Sequence, residues 1–281
     1  MQVDAHQHFW NLQRVDYPWI SPDDAALYHN FEPEDLKPEL ARAAIEKTVL
    51  VQAADSPEET KAMLDRARLH PWIGAVVGWI PLIDPDASDR ALESYRGEGK
   101  LRGVRHLLHD EPDPHWVLQT RVIESLELLA SRGLVFEIPA AWPNHLADVP
   151  VIADRLPDLT IVIDHLAKPP IKDRGWEPWA EQLAAAASYP RVYAKFSGLV
   201  TEADHQGWTP GDLRPYIAWA IECFGVERLM WGSDWPVCTQ AATLGTVHRA
   251  SLDAIETRSR EEVDALFGGV ATDVYRLGRG G

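Results

Sequence analysis

The chain has 281 residues, 46% of them hydrophobic, and sets 27 basic against 43 acidic side chains for a formal net charge of -16. That acidic balance argues against nucleic acid and anionic membranes as partners and favours a protein acting on a small molecule. No basic stretch followed by an apolar run opens the sequence and no segment reaches the roughly 18 apolar residues of a membrane helix. Cys223 and Cys238 lack a CxxC spacing. The expectation is a cytoplasmic chain with reduced, structural thiols, folded as one barrel-sized domain over residues 1–281, with self-association left open.

The first predicted element is a strand over Gln2 to His8, in Val3-Asp4-Ala5-His6-Gln7-His8-Phe9-Trp10. Period-2 alternation puts Asp4, His6 and His8 on one face, so two imidazoles point the same way. Such a pair suits a metal, a carbonyl or a proton transfer. Asn11 to Pro38 has little periodicity and reads as a long loop over a site. Thr48 to Ala53 is a short β-branched run, and Ser56-Pro57-Glu58-Glu59 then caps a helix expected over Pro57 to Leu69.

The strand-then-helix unit recurs. Strands are expected at Gly74 to Ile80, Leu101 to Leu107, Leu134 to Ile138, Thr160 to Asp164, Val192 to Phe196 and Arg228 to Trp231. The clearest helical candidates are Pro85 to Tyr95, Leu118 to Ser131, Trp176 to Ala187, Pro210 to Cys223 and Arg260 to Tyr275. Eight such units predict a closed (β/α)8 barrel. An open doubly wound sheet is the competing arrangement, weakened because His6 and His8 stand where a glycine-rich phosphate loop would follow the first strand. In a barrel, catalytic groups gather at the carboxyl ends of the strands. Those ends carry His6 and His8, Gln52, Trp79, Arg105 and His106, Glu137, Asp164 and His165, Lys195 and Ser197, and Ser233 and Asp234. Ionisable groups should be rare in ordinary packed strands, because burying an unpaired charge is costly.

Six runs together are similar to the sugar-acid lactonase branch of the amidohydrolase superfamily. They are the opening histidine stretch, Asp16-Tyr17-Pro18-Trp19, Leu101-Arg102-Gly103-Val104-Arg105-His106, Ile163-Asp164-His165-Leu166-Ala167-Lys168-Pro169, Lys195-Phe196-Ser197-Gly198-Leu199, and Trp231-Gly232-Ser233-Asp234-Trp235-Pro236-Val237. That branch includes lactonases of L-fucono-, L-rhamnono- and pyrone-dicarboxylate lactones, and the likeness spans nearly the whole chain. It implies a distorted (β/α)8 barrel that opens a lactone ring. The resemblance maps the water-activating aspartate onto Asp234, the paired histidines onto His6 and His8, and the histidine after strand six onto His165. Relatives often carry Gly-Asn-Ala before the final helix; Gly268-Gly269-Val270-Ala271 stands here instead.

Elementary chemistry arrives at a similar set. Ester hydrolysis needs a base for water, an electrophile at the carbonyl oxygen and a proton for the departing alkoxide. Asp234 is the expected base, against the alternative of a helix N-cap. His6, His8 and His165 are the expected catalytic imidazoles, and Arg105 the fork for a carbonyl or carboxylate. Lys195 is either a positive charge near the oxyanion or a barrel salt bridge to Glu137. Trp142 and Trp235 are the expected sugar-facing rings among tryptophans on loops that include Trp10 and Trp19. His106, His109 and His115 read as loop residues. His6, His8 and Asp234 are also the expected ligands should a divalent ion, zinc or manganese, bind; none is strictly required. Arg105 is the one clear strand-end arginine, which points to a neutral aldonolactone. Two alternatives remain: a metal-dependent decarboxylase of the same superfamily, and a sugar-acid binding protein without turnover.

Overall fold

The computed structural model describes residues 1–278 apart from 142 and 256. Eight parallel strands run in the order β1 to β8: Val3–Gln7, Lys47–Val51, Ile73–Gly78, Leu101–Arg105, Val135–Ile138, Thr160–Ile163, Val192–Phe196 and Leu229–Trp231. The ring closes from β8 to β1 just beyond the last strand, where His8 N donates to Trp235 O at 2.7 Å and Asp234 N to His6 O at 2.8 Å. This is the expected (β/α)8 barrel, distorted at its seam.

Around it lie α1 (Pro33–Arg42), α2 (Pro57–Leu69), α3 (Pro85–Ser94), α4 (Thr120–Arg132), α5 (Asn144–Arg155), α6 (Trp179–Ala187), α7 (Pro210–Phe224), α8 (Leu244–Ala254), α9 (Arg260–Asp264) and α10 (Val270–Val274). Each crossover is apolar on the side that meets the sheet, as in α2, which buries Met63, Leu64 and Ala67. Ser56 caps that helix as expected, accepting from Glu59 N.

Three expectations are corrected. The loop read from Asn11 to Pro38 ends earlier, because Glu32 and Asp35 form a reciprocal capping box and Pro33 starts α1, with Pro38 inside it. The helix read over Arg260 to Tyr275 is broken between α9 and α10 by a π turn, Ala265–Gly269. A Cβ on Gly268 would stand 2.0 Å from Met1 O, so the bare backbone there lets the chain's first residues pass.

The third correction concerns β1. Val3 and Ala5 pack in the barrel interior with Val49, Val51, Ala75 and Val77, so Asp4 between them faces away. A register irregularity between Asp4 and Gln7 then breaks strict alternation. Asp4 and His6 therefore do different jobs. The Asp4 carboxylate accepts from His6 N at 3.1 Å, Ser233 N at 2.8 Å and Ser233 Oγ at 2.5 Å. It stitches the barrel seam behind the site. With neutral donors only around it, burial pushes its carboxyl up to about 6.

Candidate active site

At the carboxyl ends of the strands, Asp234 faces three imidazoles. Its Oδ1 lies 3.4 Å from His8 Nε2, 3.8 Å from His6 Nε2 and 4.0 Å from His165 Nε2. All four residues are buried, and His8, His165 and Asp234 line a small cavity opening at the barrel mouth. Burial opposes ionisation of Asp234, but the surrounding imidazoles, His165 first and then His8 and His6, outweigh it and hold the carboxyl well below its usual range. Burial likewise drives the His6 and His165 imidazoles down.

The backbone that presents these groups is strained. His165, Leu166, Ala167 and Lys168 all have positive φ, between +50° and +61°, making a left-handed turn without glycine. That hand costs about 1–2 kcal/mol per residue. Trp179 Nε1 to Leu166 O at 2.7 Å and Lys168 N to His165 O at 2.9 Å secure the turn. Asp234 is also left-handed, at φ +59°. Non-glycine strain of this kind persists where the surroundings enforce it and is commonest at functional sites. Gly198, at φ +61°, is required sterically: a Cβ there would lie 2.7 Å from His165 Nδ1 and 2.8 Å from Asp234 Oδ2.

Beneath the imidazoles lies a buried charge network. Lys195 Nζ is 2.6 Å from Glu137 Oε2, 3.4 Å from Asp164 Oδ1 and 3.2 Å from His6 Nδ1. Tyr275 OH donates to Glu137 Oε1 at 2.5 Å. Arg105 Nη1 donates to Asp164 Oδ2 at 3.0 Å and Nη2 donates to the Gln52 carbonyl. Burial works against Asp164 as an anion, but Lys195, His6 and Arg105 hold its carboxyl well below the usual range.

Lys195, considered above for substrate contact, has no exposed surface and sits under the floor, because a buried ammonium must stay with its carboxylates. Trp235 packs its ring against Phe9 and Phe31 at centroid distances of 5.8 and 5.2 Å rather than lining the cavity. Trp142 lies outside the described residues. Arg105 does line the cavity. The cavity is also bounded by residues the sequence reading left aside: Trp19, His109, Lys168 and Glu202. Burial and the charge of Lys168 bring the His109 imidazole down to about 4. Lys168 and Gly198 stood inside quoted motifs, yet nothing in their spacing says that they face the site.

His8 Nδ1 meets the Val51 carbonyl at 2.8 Å. A carbonyl only accepts, so Nδ1 carries the proton and Nε2 offers its lone pair to the cavity. His6 Nε2 stands 3.1 Å from that lone pair. The cluster has two proton arrangements, the first satisfied as it stands and the second suited to a cation. In one, Lys195 donates to His6 Nδ1 and His6 Nε2–H donates to His8. In the other, His6 Nδ1–H turns to Asp164 Oδ1, 3.3 Å away, which is buried and otherwise has no hydrogen bond. His6 Nε2 then presents a second lone pair beside Asp234. Ligand atoms of His6, His8 and Asp234 lie within 4.8 Å of one another, and an edge of 3.1 Å between two nitrogens matches ligands about 2.0–2.1 Å from a zinc ion. The residues present thus fit a divalent cation, and the cluster is also satisfied without one.

The family model described as amidohydrolase matches residues 3–277. The chain is 39% identical over 290 residues to L-fucono-1,5-lactonase of Burkholderia ambifaria, covering 99% of this chain and 96% of that protein. It is 36% identical over 288 residues to L-fucono-1,5-lactonase of Burkholderia multivorans, with the same coverage. The fold superposes with a TM-score of 0.93 and 35% identity on a crystal structure of an amidohydrolase from Burkholderia multivorans with bound zinc, over 99% of this chain and 100% of that one. With the barrel, the seam histidines and the strand-eight aspartate in place, the chain belongs to the amidohydrolase family.

Proposed function

We propose that the protein hydrolyses sugar-acid lactones, with L-fucono-1,5-lactone the first substrate to try. The observation that carries this reading is the buried Asp234 carboxylate at the cavity floor, within 4.0 Å of three imidazole nitrogens. Likeness to two L-fucono-1,5-lactonases over nearly the whole chain supports the substrate class.

In the proposed reaction Asp234 accepts a proton from water as its oxygen bonds to the lactone carbonyl carbon. His165 and the Arg105 guanidinium stand beside the oxygen on which negative charge develops. The ring C–O bond then breaks, and the proton held on Asp234 passes to the departing alkoxide, leaving a hydroxy acid. His6 and His8 orient the water, and Ser197 Oγ, 2.9 Å from His165 Nδ1, fixes that ring. A divalent cation held by His6, His8 and Asp234 would add Lewis-acid polarisation of the carbonyl. The steps above are complete without it, and the cytoplasm remains our proposed compartment.

The test is proton release on L-fucono-1,5-lactone by wild type and Asp234→Asn, each with and without a chelator. Loss of a general base costs about 10²–10⁴-fold in kcat, so Asp234→Asn should fall by that much while chelated wild type keeps most of its turnover. Full activity in Asp234→Asn, or no activity in wild type, sinks the reading. Loss of all turnover on chelation would instead make the cation obligatory.

A further inference from the structure

Lys168 and Glu202 line the cavity but have no part in the ring-opening steps. Lys168 closes the left-handed turn that begins at His165, so one strained segment delivers a catalytic imidazole to the floor and an ammonium to the mouth. Glu202 comes from the loop after β7, beyond Gly198. Lys168 Nζ and Glu202 Oε1 stand 3.8 Å apart, with side chains 41% and 27% exposed.

That separation is too long for a hydrogen bond, and a half-exposed pair at such a distance contributes little to stability. It does not account for a turn of four strained residues. Each head group keeps unused capacity, three donors on the ammonium and several acceptor sites on the carboxylate. One hydroxyl oxygen fits across the gap at about 2.8 Å from both, accepting from Nζ and donating to Oε1. Trp19 also lines the cavity. Its Nε1 donates to Ala53 O at 2.7 Å, which orients the ring and leaves it an apolar surface. An ammonium, a carboxylate and an aromatic wall together suit a polyol ring, whose hydroxyls are polar and whose C–H face is not.

We propose that Lys168 and Glu202 form a hydroxyl-reading pair at the cavity mouth, with Trp19 as its apolar wall, so that the site selects polyhydroxylated lactones over plain ones. This rests on the lactonase reading. Neither residue is asked to touch the reacting carbonyl, so the effect belongs in selectivity and in KM.

The experiment compares kcat/KM on L-fucono-1,5-lactone and on δ-valerolactone, the same ring size without hydroxyls, for wild type, Glu202→Gln and Lys168→Asn. Asparagine tolerates the left-handed conformation, so Lys168→Asn removes the charge without adding backbone strain. A lost hydrogen bond to a charged group leads us to expect the ratio between the two lactones to fall about tenfold or more in each variant, mainly through KM of the hydroxylated substrate. A selective wild type whose ratio stays within about twofold in both variants overturns the pair and leaves the lactonase reading standing. A wild type inert on both lactones overturns that reading, and the pair with it.

Discussion

The barrel interior differs on its two sides. Its apolar side takes Val49, Val51, Ala75 and Val77 from β2 and β3 and reaches Val135 of β5 and Val162 of β6. Its charged side is made where Arg105, Glu137 and Lys195, further along β4, β5 and β7, and Asp164, just after β6, turn inward. The apolar side needs nothing but close packing. The charged side stands because every head group has a counter-charge: Lys195 spans Glu137 and Asp164, and Arg105 holds the far oxygen of Asp164. Carboxyls sharpen the lesson. Asp164, surrounded by three cationic or imidazole groups, is driven well below its usual range, whereas Asp4, equally buried but bonded to Ser233 and a backbone amide, is pushed up to about 6. Burial raises both; the charge of the partners decides whether it prevails, as at Asp4, or is overcome, as at Asp164.

The largest expected effect comes from removing the cation that joins the charged side. Lys195→Met should destabilise the fold by about 3–5 kcal/mol in urea unfolding, because it strands Glu137 and part of Asp164. Adding Glu137→Leu should recover part of that loss; no recovery would mean that the lysine matters through packing alone.

Asp4 tests the neutral-partner case through pH. Its folded value of about 6 lies above the ordinary 3.8. The stability it contributes is therefore fully present below about 4 and lost as pH rises through about 6, a change of about 3 kcal/mol. Relative to Asp4→Asn, wild type should lose thermal stability between pH 4 and pH 7; parallel melting curves across that range would remove Asp4 as an independent titrating group. Asp164 has the opposite sign, its contribution persisting above about 4 and fading only in stronger acid.

The smallest effect is expected on the apolar side. Val77→Ala should cost about 2 kcal/mol, a transfer and cavity loss with no charge left behind, and the cost should not change with pH. A pH-dependent loss there would show that the two sides are coupled.

Much of the architecture could be read from local pattern. Runs such as Thr48 to Ala53 and Val192 to Phe196 are strands in any context that buries both faces, and Ser56-Pro57 starts a helix through local hydrogen bonding. The recurrence of that unit announced the barrel, and the clustering of His6, His8, His165 and Asp234 at its carboxyl ends follows from topology. The sequence did not disclose that α1 begins at Pro33, since Pro38 masks the helix, or that alternation fails within β1, where the seam with the segment after β8 sets the register.

By itself, then, the sequence determined the period of its strands and helices and which strand ends carry ionisable groups, because those properties depend on neighbours a few residues away. Only the tertiary structure decided that Lys195 lies under the floor, that Trp235 is packed away while Trp19 lines the cavity, and that Lys168 and Glu202 meet at the mouth. Each depends on which distant side chains share a space. A left-handed turn at His165 to Lys168 has no local reason to exist, so surroundings assembled by the whole barrel must hold it.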